Sequence, residues 1–490
     1  MDKSSLSTQT GMRLGAIALT KAIGFTGRVV LTRMIGAEGI GLFQIAYAYF
    51  GFVLMLVTGG FPTALALYTA RRKDQGWPWF KRLAVLLMVG GAIAFLLTLA
   101  FATKLSHVMG SEKSYFFIRA LAPAFIVVPS LSLLRGYLQG LEHYQAVAFS
   151  EVAEQLVRVA LMLGLCYLLL FKGTYYAGGM SMIGTTFGGI TAFVILLVFS
   201  RRNVAEIGNP ISLSGTDKTW FVRSSLAICL TRLLIPFSDM FDAIIIPERL
   251  QSAGYSDSQA TALFGLLTGM ALLVAYMPTI VTAAISHTMT MKLSTSWKKQ
   301  QENLFRTYSN KAIQYAWNWG LVSGLFLSTF SSELALLLFN SKQAGQLILW
   351  LSSIPLVVGL REITTSILWA QDRRKVTFIS TAIGMVCAIC CHYILIPYLY
   401  LTGAVIGILL MELIVLFANV FALRRLLPFF YLSKMAVSAL LMLFIGVPLG
   451  YAVREASHTF LSGTSGGVIG MLLYGACIIV CYKCLKRHFF

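Results

Sequence analysis

Charged side chains are scarce in this sequence, and acids are the scarcest. Only 12% of the 490 residues are Asp, Glu, Lys or Arg, about half the share a soluble chain carries. No stretch is long and polar enough to form a soluble domain. Nowhere does Gly-x-x-x-x-Gly-Lys-Ser/Thr occur, which argues against direct drive by ATP. Gly36, Gly39 and Gly41 fall short of a nucleotide fingerprint and read as a short extracellular turn. Cysteine is not absent, but Cys166, Cys229, Cys387, Cys390, Cys391, Cys477, Cys481 and Cys484 all lie in or at the ends of apolar runs. That placement argues against a disulfide framework. Cys387, Cys390, Cys391 and His392 read as packing groups within a helix rather than metal ligands. Neither a metal nor an organic cofactor is expected.

Apolar residues are abundant, at 57% of the chain, with a mean hydropathy of +0.77. Apolar runs of about 20 residues recur from end to end, the pattern of an all-α polytopic membrane protein. Fourteen spans are expected, with cores at 12–33, 41–69, 82–103, 116–137, 145–171, 176–199, 221–247, 259–290, 306–331, 344–369, 376–398, 402–423, 434–453 and 466–484. The first run carries internal Lys and Arg and no small-x-small cleavage site, so it reads as a span and not a cleaved signal.

The net charge of +20 raises nucleic acid as a partner. The placement of the cations points elsewhere. With residue 1 inside, the cytoplasmic loops hold Arg71, Arg72, Lys73, Lys81 and Arg82, then Arg201, Arg202 and Lys218, and so on to Lys486 and Arg487. The tally is roughly 24 Lys and Arg inside against about 7 outside, the positive-inside bias of a membrane protein with both termini cytoplasmic.

The chain also resembles itself. Leu19-Thr20-Lys21 matches Leu230-Thr231-Arg232, and Phe61-Pro62-Thr63 matches Met277-Pro278-Thr279. Pro123 and Gln139 stand at one common offset from Pro355 and Gln371. The order of these matches predicts two pseudo-symmetric six-helix lobes, 1–200 and 221–426, joined by a cytoplasmic linker at 201–220. Residues 427–490 supply helices 13 and 14, outside the repeat. Parallel repeats of this kind share a central cavity near the midplane. The second and eighth spans are interrupted by Gly59-Gly60-Phe61-Pro62 and by Tyr276-Met277-Pro278. Pro removes a backbone donor, so both sites are helix breaks, either simple kinks or mobile elements.

Buried charge is the strongest functional signal. A cation near the middle of a span costs at least ~2.5–3.5 kcal/mol on insertion scales. Lys21 and Arg28 are two helical turns apart and share a face. Arg33 reads as an outer-edge residue that snorkels. On the fifth span, Glu154 and Arg158 have the spacing of an i, i+4 ion pair, with Glu151 one turn earlier. On the seventh, Arg232 and Asp239 repeat the two-turn spacing, with Asp242 one turn further. Arg119, Arg361, Glu362 and Glu412 rank lower as local caps or pairs, and His392 reads as packing rather than a proton relay. A cavity lined by Lys21, Arg28, Arg158 and Arg232 suits an anionic head group such as a phosphate or pyrophosphate. Glu151, Glu154, Asp239 and Asp242 are then coupling or charge-pair residues. The two aspartates either bind a coupling ion, H+ or Na+, or neutralise Arg232.

Several of these stretches resemble one family. They are Thr20-Lys-Ala-Ile-Gly-Phe-Thr-Gly-Arg28, Arg33-Met-Ile-Gly-Ala-Glu-Gly-Ile-Gly-Leu-Phe-Gln44, Gly60-Phe-Pro-Thr63, Arg135-Gly-Tyr-Leu-Gln-Gly140 and Glu151-Val-Ala-Glu-Gln-Leu-Val-Arg158. They resemble the polysaccharide transporters of the MOP (multidrug/oligosaccharidyl-lipid/polysaccharide) flippase superfamily, with sporulation members and Gram-positive lipid II flippases nearest. The resemblance implies a bacterial cytoplasmic-membrane flippase with two lobes, a hydrated cavity and alternating access. Its substrate would be an undecaprenyl-pyrophosphate-linked saccharide, lipid II or a polysaccharide unit, moved from the inner to the outer leaflet. The product would feed peptidoglycan, spore-cortex or surface-polysaccharide synthesis. Helices 13 and 14 would form a groove for the lipid tail, and the membrane potential would drive transport. Membrane lipids and wall-synthesis proteins are the implied partners. Arg28, Arg158 and Lys21 carry over as cavity residues, although Lys21 stands where that family usually has Arg and loses the bidentate fork.

Three rivals follow from the same residues. A cation-coupled multidrug exporter of the superfamily would favour an acidic cavity, and this one reads basic. A membrane-embedded sugar transferase or ligase would need acids or His near one face, and the outside loops are poor in both. A non-transporting scaffold of a wall-synthesis complex stays open. The chain is not expected to be an enzyme.

Overall fold

The structure is a computed structural model that describes residues 3–203, 215–424, 426, 429–460 and 464–489, with side chains for 15–201, 219–424, 426 and most of 437–478. The described residues are all-α, with no strand among them. Among the described residues, seven helices are each long and apolar enough to cross a membrane, or up to ten if each sharply bent pair is one span. The first of these, 15–58, folds back on itself at Gly36. The expected linker at 201–220 lies largely outside the described residues.

Two compact units divide the chain, Met1–Gly265 and Leu266–Phe490. The first contains α1 (Lys3–Thr58), α2 (Phe61–Arg71), α3 (Gly76–Val108), α4 (Ser114–Leu121), α5 (Ala124–Gly140), α6 (Tyr144–Leu169), α7 (Thr174–Ser181), α8 (Ile183–Asn203), α9 (Gly215–Ser252) and α10 (Asp257–Phe264). It thus runs past the linker and takes in the seventh apolar run.

Within α1 the helix breaks at one residue. Gly36 has φ 72° and ψ −174°, a region open in practice only to glycine. The chain folds back there, since the Arg28 guanidinium lies 5.5 Å from the Phe43 ring centroid. Along a straight helix, 15 residues would span about 22 Å. A Cβ on Gly36 would meet nothing within 4 Å, so its requirement is conformational and not steric. Gly36→Ala is expected to cost roughly 1–3 kcal/mol through backbone strain alone. A lowered melting temperature of the purified protein checks this.

The expected break in the second span separates α1 from α2. Gly59 has φ 54°, and Pro62 lies in the first turn of α2, where its missing N–H costs nothing. Gly60 lets α9 approach: a Cβ there would stand 2.3 Å from the carbonyl oxygen of Ser225. Beside this crossing, Tyr68, Trp79, Phe80, Leu134, Tyr137 and Phe221 form a buried core that joins α2, α3, α5 and α9. On the α1–α2 side, Phe52 packs on Phe237 of α9 at 5.9 Å between ring centroids.

At the Gly36 end, three connections are tied by one ion pair. Lys113, in the loop between α3 and α4, donates to the Glu38 carboxylate at 2.8 Å and to the Tyr175 hydroxyl at 2.9 Å. Tyr175 of α7 in turn donates to Glu38 at 2.5 Å. The hydrogen bond to Glu38, followed by the one to Tyr175, holds the Lys113 ammonium above its ordinary range.

The second unit contains α11 (Leu272–Tyr276), α12 (Thr279–Lys298), α13 (Glu302–Thr329), α14 (Ser331–Phe339), α15 (Lys342–Trp350), α16 (Ile354–Ala370), α17 (Arg374–Leu399), α18 (Leu401–Ala422), α19 (Phe429–Phe460) and α20 (Thr464–Phe489). Pro278 separates α11 from α12, and its carbonyl accepts the Trp319 ring N–H at 2.8 Å. The lower-ranked charges of this unit are satisfied locally. Arg361 pairs with Glu412 at 2.6 Å, Tyr276 donates to Glu412 at 3.0 Å, and Thr282 donates to Glu362 at 2.8 Å. His392 is fully buried, with Nε2 3.1 Å from the Ala404 carbonyl, so it knits α17 to α18. Helices α19 and α20 pack together through Tyr474, whose hydroxyl donates to the Gly446 carbonyl at 2.9 Å. Arg454 of α19 pairs with Glu333 of α14 at 2.6 Å.

Candidate functional site

The first half of α1 lies against α6, and small residues make the contact close. A Cβ on Gly24 would stand 2.6 Å from Gln155 Nε2, and one on Gly27 would stand 2.6 Å from Val159 Cγ1. Lys21 and Arg28 flank Gly24 on the same helix, one turn to either side. The α1–α6 seam therefore brings Arg28 and Arg158 near enough to repel one another. Both are half-buried, whereas Lys21 is exposed.

Each arginine is steadied by a neutral neighbour. Arg28 lies over the Phe43 ring, brought opposite it by the fold-back at Gly36. A cation over an aromatic face gains about 0.5–1 kcal/mol at an exposed site and more when desolvated. Tyr47, one turn beyond Phe43, interacts electrostatically with Arg28 and shares a 2.6 Å hydrogen bond with Thr185 of α8. Arg158 donates to Gln155 Oε1 on its own helix. None of these contacts cancels a charge. Two adjacent guanidinium groups in apolar helices form a site that an anion with several oxygens would complete.

Glu154 does not form the expected pair with Arg158. It forms an ion pair with Arg135 of α5 at 2.8 Å, and Arg135 Nε donates to Ser150 Oγ at 3.2 Å. The physical reason is the tight α5–α6 hairpin, which puts the Arg135 guanidinium beside Glu154 while Arg158 turns to Gln155. Arg158 is thereby left available at the seam. Glu151 is half-buried on the same helix.

The remaining candidates lie on α9. Asp239 and Asp242 are near enough to repel one another. Asp239 and Arg232 are exposed and Asp242 is half-buried. The structure thus brings together Arg28 with Arg158, and Asp239 with Asp242. Of the helix breaks, Gly59, Gly60 and Pro62 form the point at which α9 crosses, and Pro278 lies in the second unit. Arg33 is exposed. Among the described residues, no group of three or more His, Cys, Asp or Glu side chains is placed to hold a metal.

Sequence reasoning missed Gln155, Tyr47 and the role of Arg135. Gln155 carried one signal, an amide three residues before a half-buried Arg on the same helix face.

A family model described as "Polysaccharide biosynthesis protein" matches residues 8–255. Over 441 residues the chain is 24% identical to stage V sporulation protein B of Bacillus subtilis (strain 168), covering 87% of this chain and 85% of that protein. It is 23% identical over 469 residues to lipid II flippase MurJ of the same organism, covering 89% of this chain and 85% of the relative. Among solved structures, lipid II flippase MurJ in an inward closed conformation shares the fold, with a TM-score of 0.73, 96% of this chain and 98% of that chain covered, and 13% identity.

Proposed function

Because the chain belongs to the polysaccharide biosynthesis protein family, we propose that it is a flippase of the bacterial cytoplasmic membrane. Its substrate is a lipid-linked saccharide on undecaprenyl pyrophosphate, lipid II or a polysaccharide unit, moved from the inner to the outer leaflet by alternating access. The observation that carries this reading is the close α1–α6 seam at Gly27 and Val159, which brings their neighbours Arg28 and Arg158 together on apolar helices. Such charge is costly to insert, and a pyrophosphate offers oxygens to both guanidinium forks. The relatives named for sporulation and for lipid II flipping support the same substrate class.

In this reading the chain crosses the membrane fourteen times with both termini cytoplasmic, and residues 1–200 and 221–426 are its two lobes. Lys21, Arg28, Arg158 and Arg232 line the path of the head group. Asp239 and Asp242 couple transport to an ion or respond to the membrane potential. The chain performs no covalent chemistry on its cargo.

Native mass spectrometry of the protein purified from its membrane tests the substrate class. The expected result is a retained adduct whose mass matches a lipid-linked pyrophosphate saccharide. Binding of cationic dyes in place of such an adduct overturns the proposal in favour of multidrug export. Neither adduct nor dye, together with failure to move a fluorescent lipid II analogue in vesicles, favours the scaffold.

A further inference from the structure

Gln155 is a neutral polar side chain at the α1–α6 seam, seated opposite Gly24. It is 4% exposed. An amide buried among apolar helices costs free energy unless its donors and acceptors are used. Its acceptor is used, because Arg158 donates to Oε1. That donor also fixes the orientation of the amide, since an arginine offers only N–H groups. Nε2 therefore points away from Arg158 and toward α1 at Gly24. Among the described residues Nε2 has no acceptor.

The seat for this amide is built by α1. At Gly24 a Cβ would fall 2.6 Å from Nε2 and 3.5 Å from the carboxamide carbon. Any larger residue there would push the amide out of place. Gly24 lies between Lys21 and Arg28 along α1, so the free N–H donors of Nε2 stand between the levels of the two cations.

We propose that Gln155 is a recognition residue of the candidate site, which aims the Arg158 guanidinium through Oε1 and donates from Nε2 to a phosphate oxygen held by Arg28 and Arg158. This inference rests on the proposed pyrophosphate substrate. It adds a neutral donor to a site otherwise read as purely cationic. The consequence is selectivity. Two guanidinium groups attract any anion, whereas a fixed amide donor between them rewards an anion with a further oxygen at the right depth. A pyrophosphate meets that condition and a simple carboxylate does not.

The test uses the full chain in lipid nanodiscs with farnesyl pyrophosphate as probe, and farnesol and farnesoic acid as controls, read by thermophoresis. Gln155→Leu is expected to weaken pyrophosphate binding by about tenfold or more, the loss of a hydrogen bond to a charged group. Farnesol binding and the melting temperature should hardly change. Gln155→Glu is nearly isosteric and keeps an acceptor for Arg158, so a mere filler would tolerate it. As a recognition residue it should lose at least as much affinity as Gln155→Leu, because the introduced carboxylate neutralises Arg158 and removes the donor. Gly24→Ala, which touches no charge, should reproduce the Gln155→Leu loss. Unchanged pyrophosphate affinity in Gln155→Leu and Gly24→Ala, with Arg28→Ala impaired, overturns the role of Gln155 and leaves the proposed substrate class standing. Unchanged affinity in Arg28→Ala as well overturns both.

Discussion

Arg28→Ala is expected to lower affinity for a lipid-linked pyrophosphate by about a hundredfold, with no matching loss of fold stability. Truncating one side of a charge-assisted contact in a desolvated site costs about 2–5 kcal/mol of binding. The fold responds differently. Burying the Arg28 guanidinium is costly, and the nearby Arg158 adds a smaller repulsion, so removing it relieves a cost that folding otherwise bears. Against this stands the lost contact with Phe43, worth about 2 kcal/mol in a desolvated site. The two terms oppose, and the melting temperature of Arg28→Ala should lie near that of the parent. Transport of a fluorescent lipid II analogue in vesicles and a thermal melt on the same preparation check both halves. A variant that transports normally would remove Arg28 from the site. A variant that loses transport only because it melts early would show that Arg28 serves the fold.

Glu154→Gln should be the more damaging change for the fold. Arg135 and Glu154 keep only 16% and 15% of their side-chain surface exposed. Breaking a buried pair by removing one partner leaves an uncompensated charge and costs on the order of 3 kcal/mol. The remedy is to remove both charges together. Arg135→Met with Glu154→Leu should recover most of that loss, since replacing a buried pair by apolar groups is often neutral. A double-mutant cycle on the melting transition gives the coupling directly. Additive losses would mean that the two side chains act apart. Transport should survive in the double variant, because the pair faces the α5–α6 hairpin and not the α1–α6 seam.

These two predictions divide along what the sequence makes visible. Arg28 could be found by reading, because a cation in an apolar run is costly wherever the run folds. The breaks at Gly59, Gly60, Pro62 and Pro278 were visible for a like reason, since glycine and proline act on the backbone of their own helix. The partner of Glu154 was not visible. Helical spacing ranks neighbours on one helix and offered Arg158, while the true partner arrives from α5 by tertiary packing. Gln155 was hidden because an amide in a hydropathy profile carries little weight, and its meaning comes from the Gly24 seat on another helix. The repeat assigns residues 221–265 to the second half of the chain, and only side-chain packing, such as Phe221 in the core of α2, α3 and α5, shows what they bind.

The fold-back at Gly36 has a consequence for biogenesis. Residues equally far from Gly36 on either side come to the same depth, which is how Phe43 and Tyr47 reach Arg28. The two apolar runs on either side of it can therefore enter the bilayer as one hairpin, with an aromatic face covering the cation before most of the chain has left the ribosome. Arg28 then does not meet lipid alone at any stage of synthesis. A nascent chain stalled with residue 60 already clear of the ribosome should insert both runs, whereas one stalled with Phe43 still inside it should leave the first run at the membrane surface.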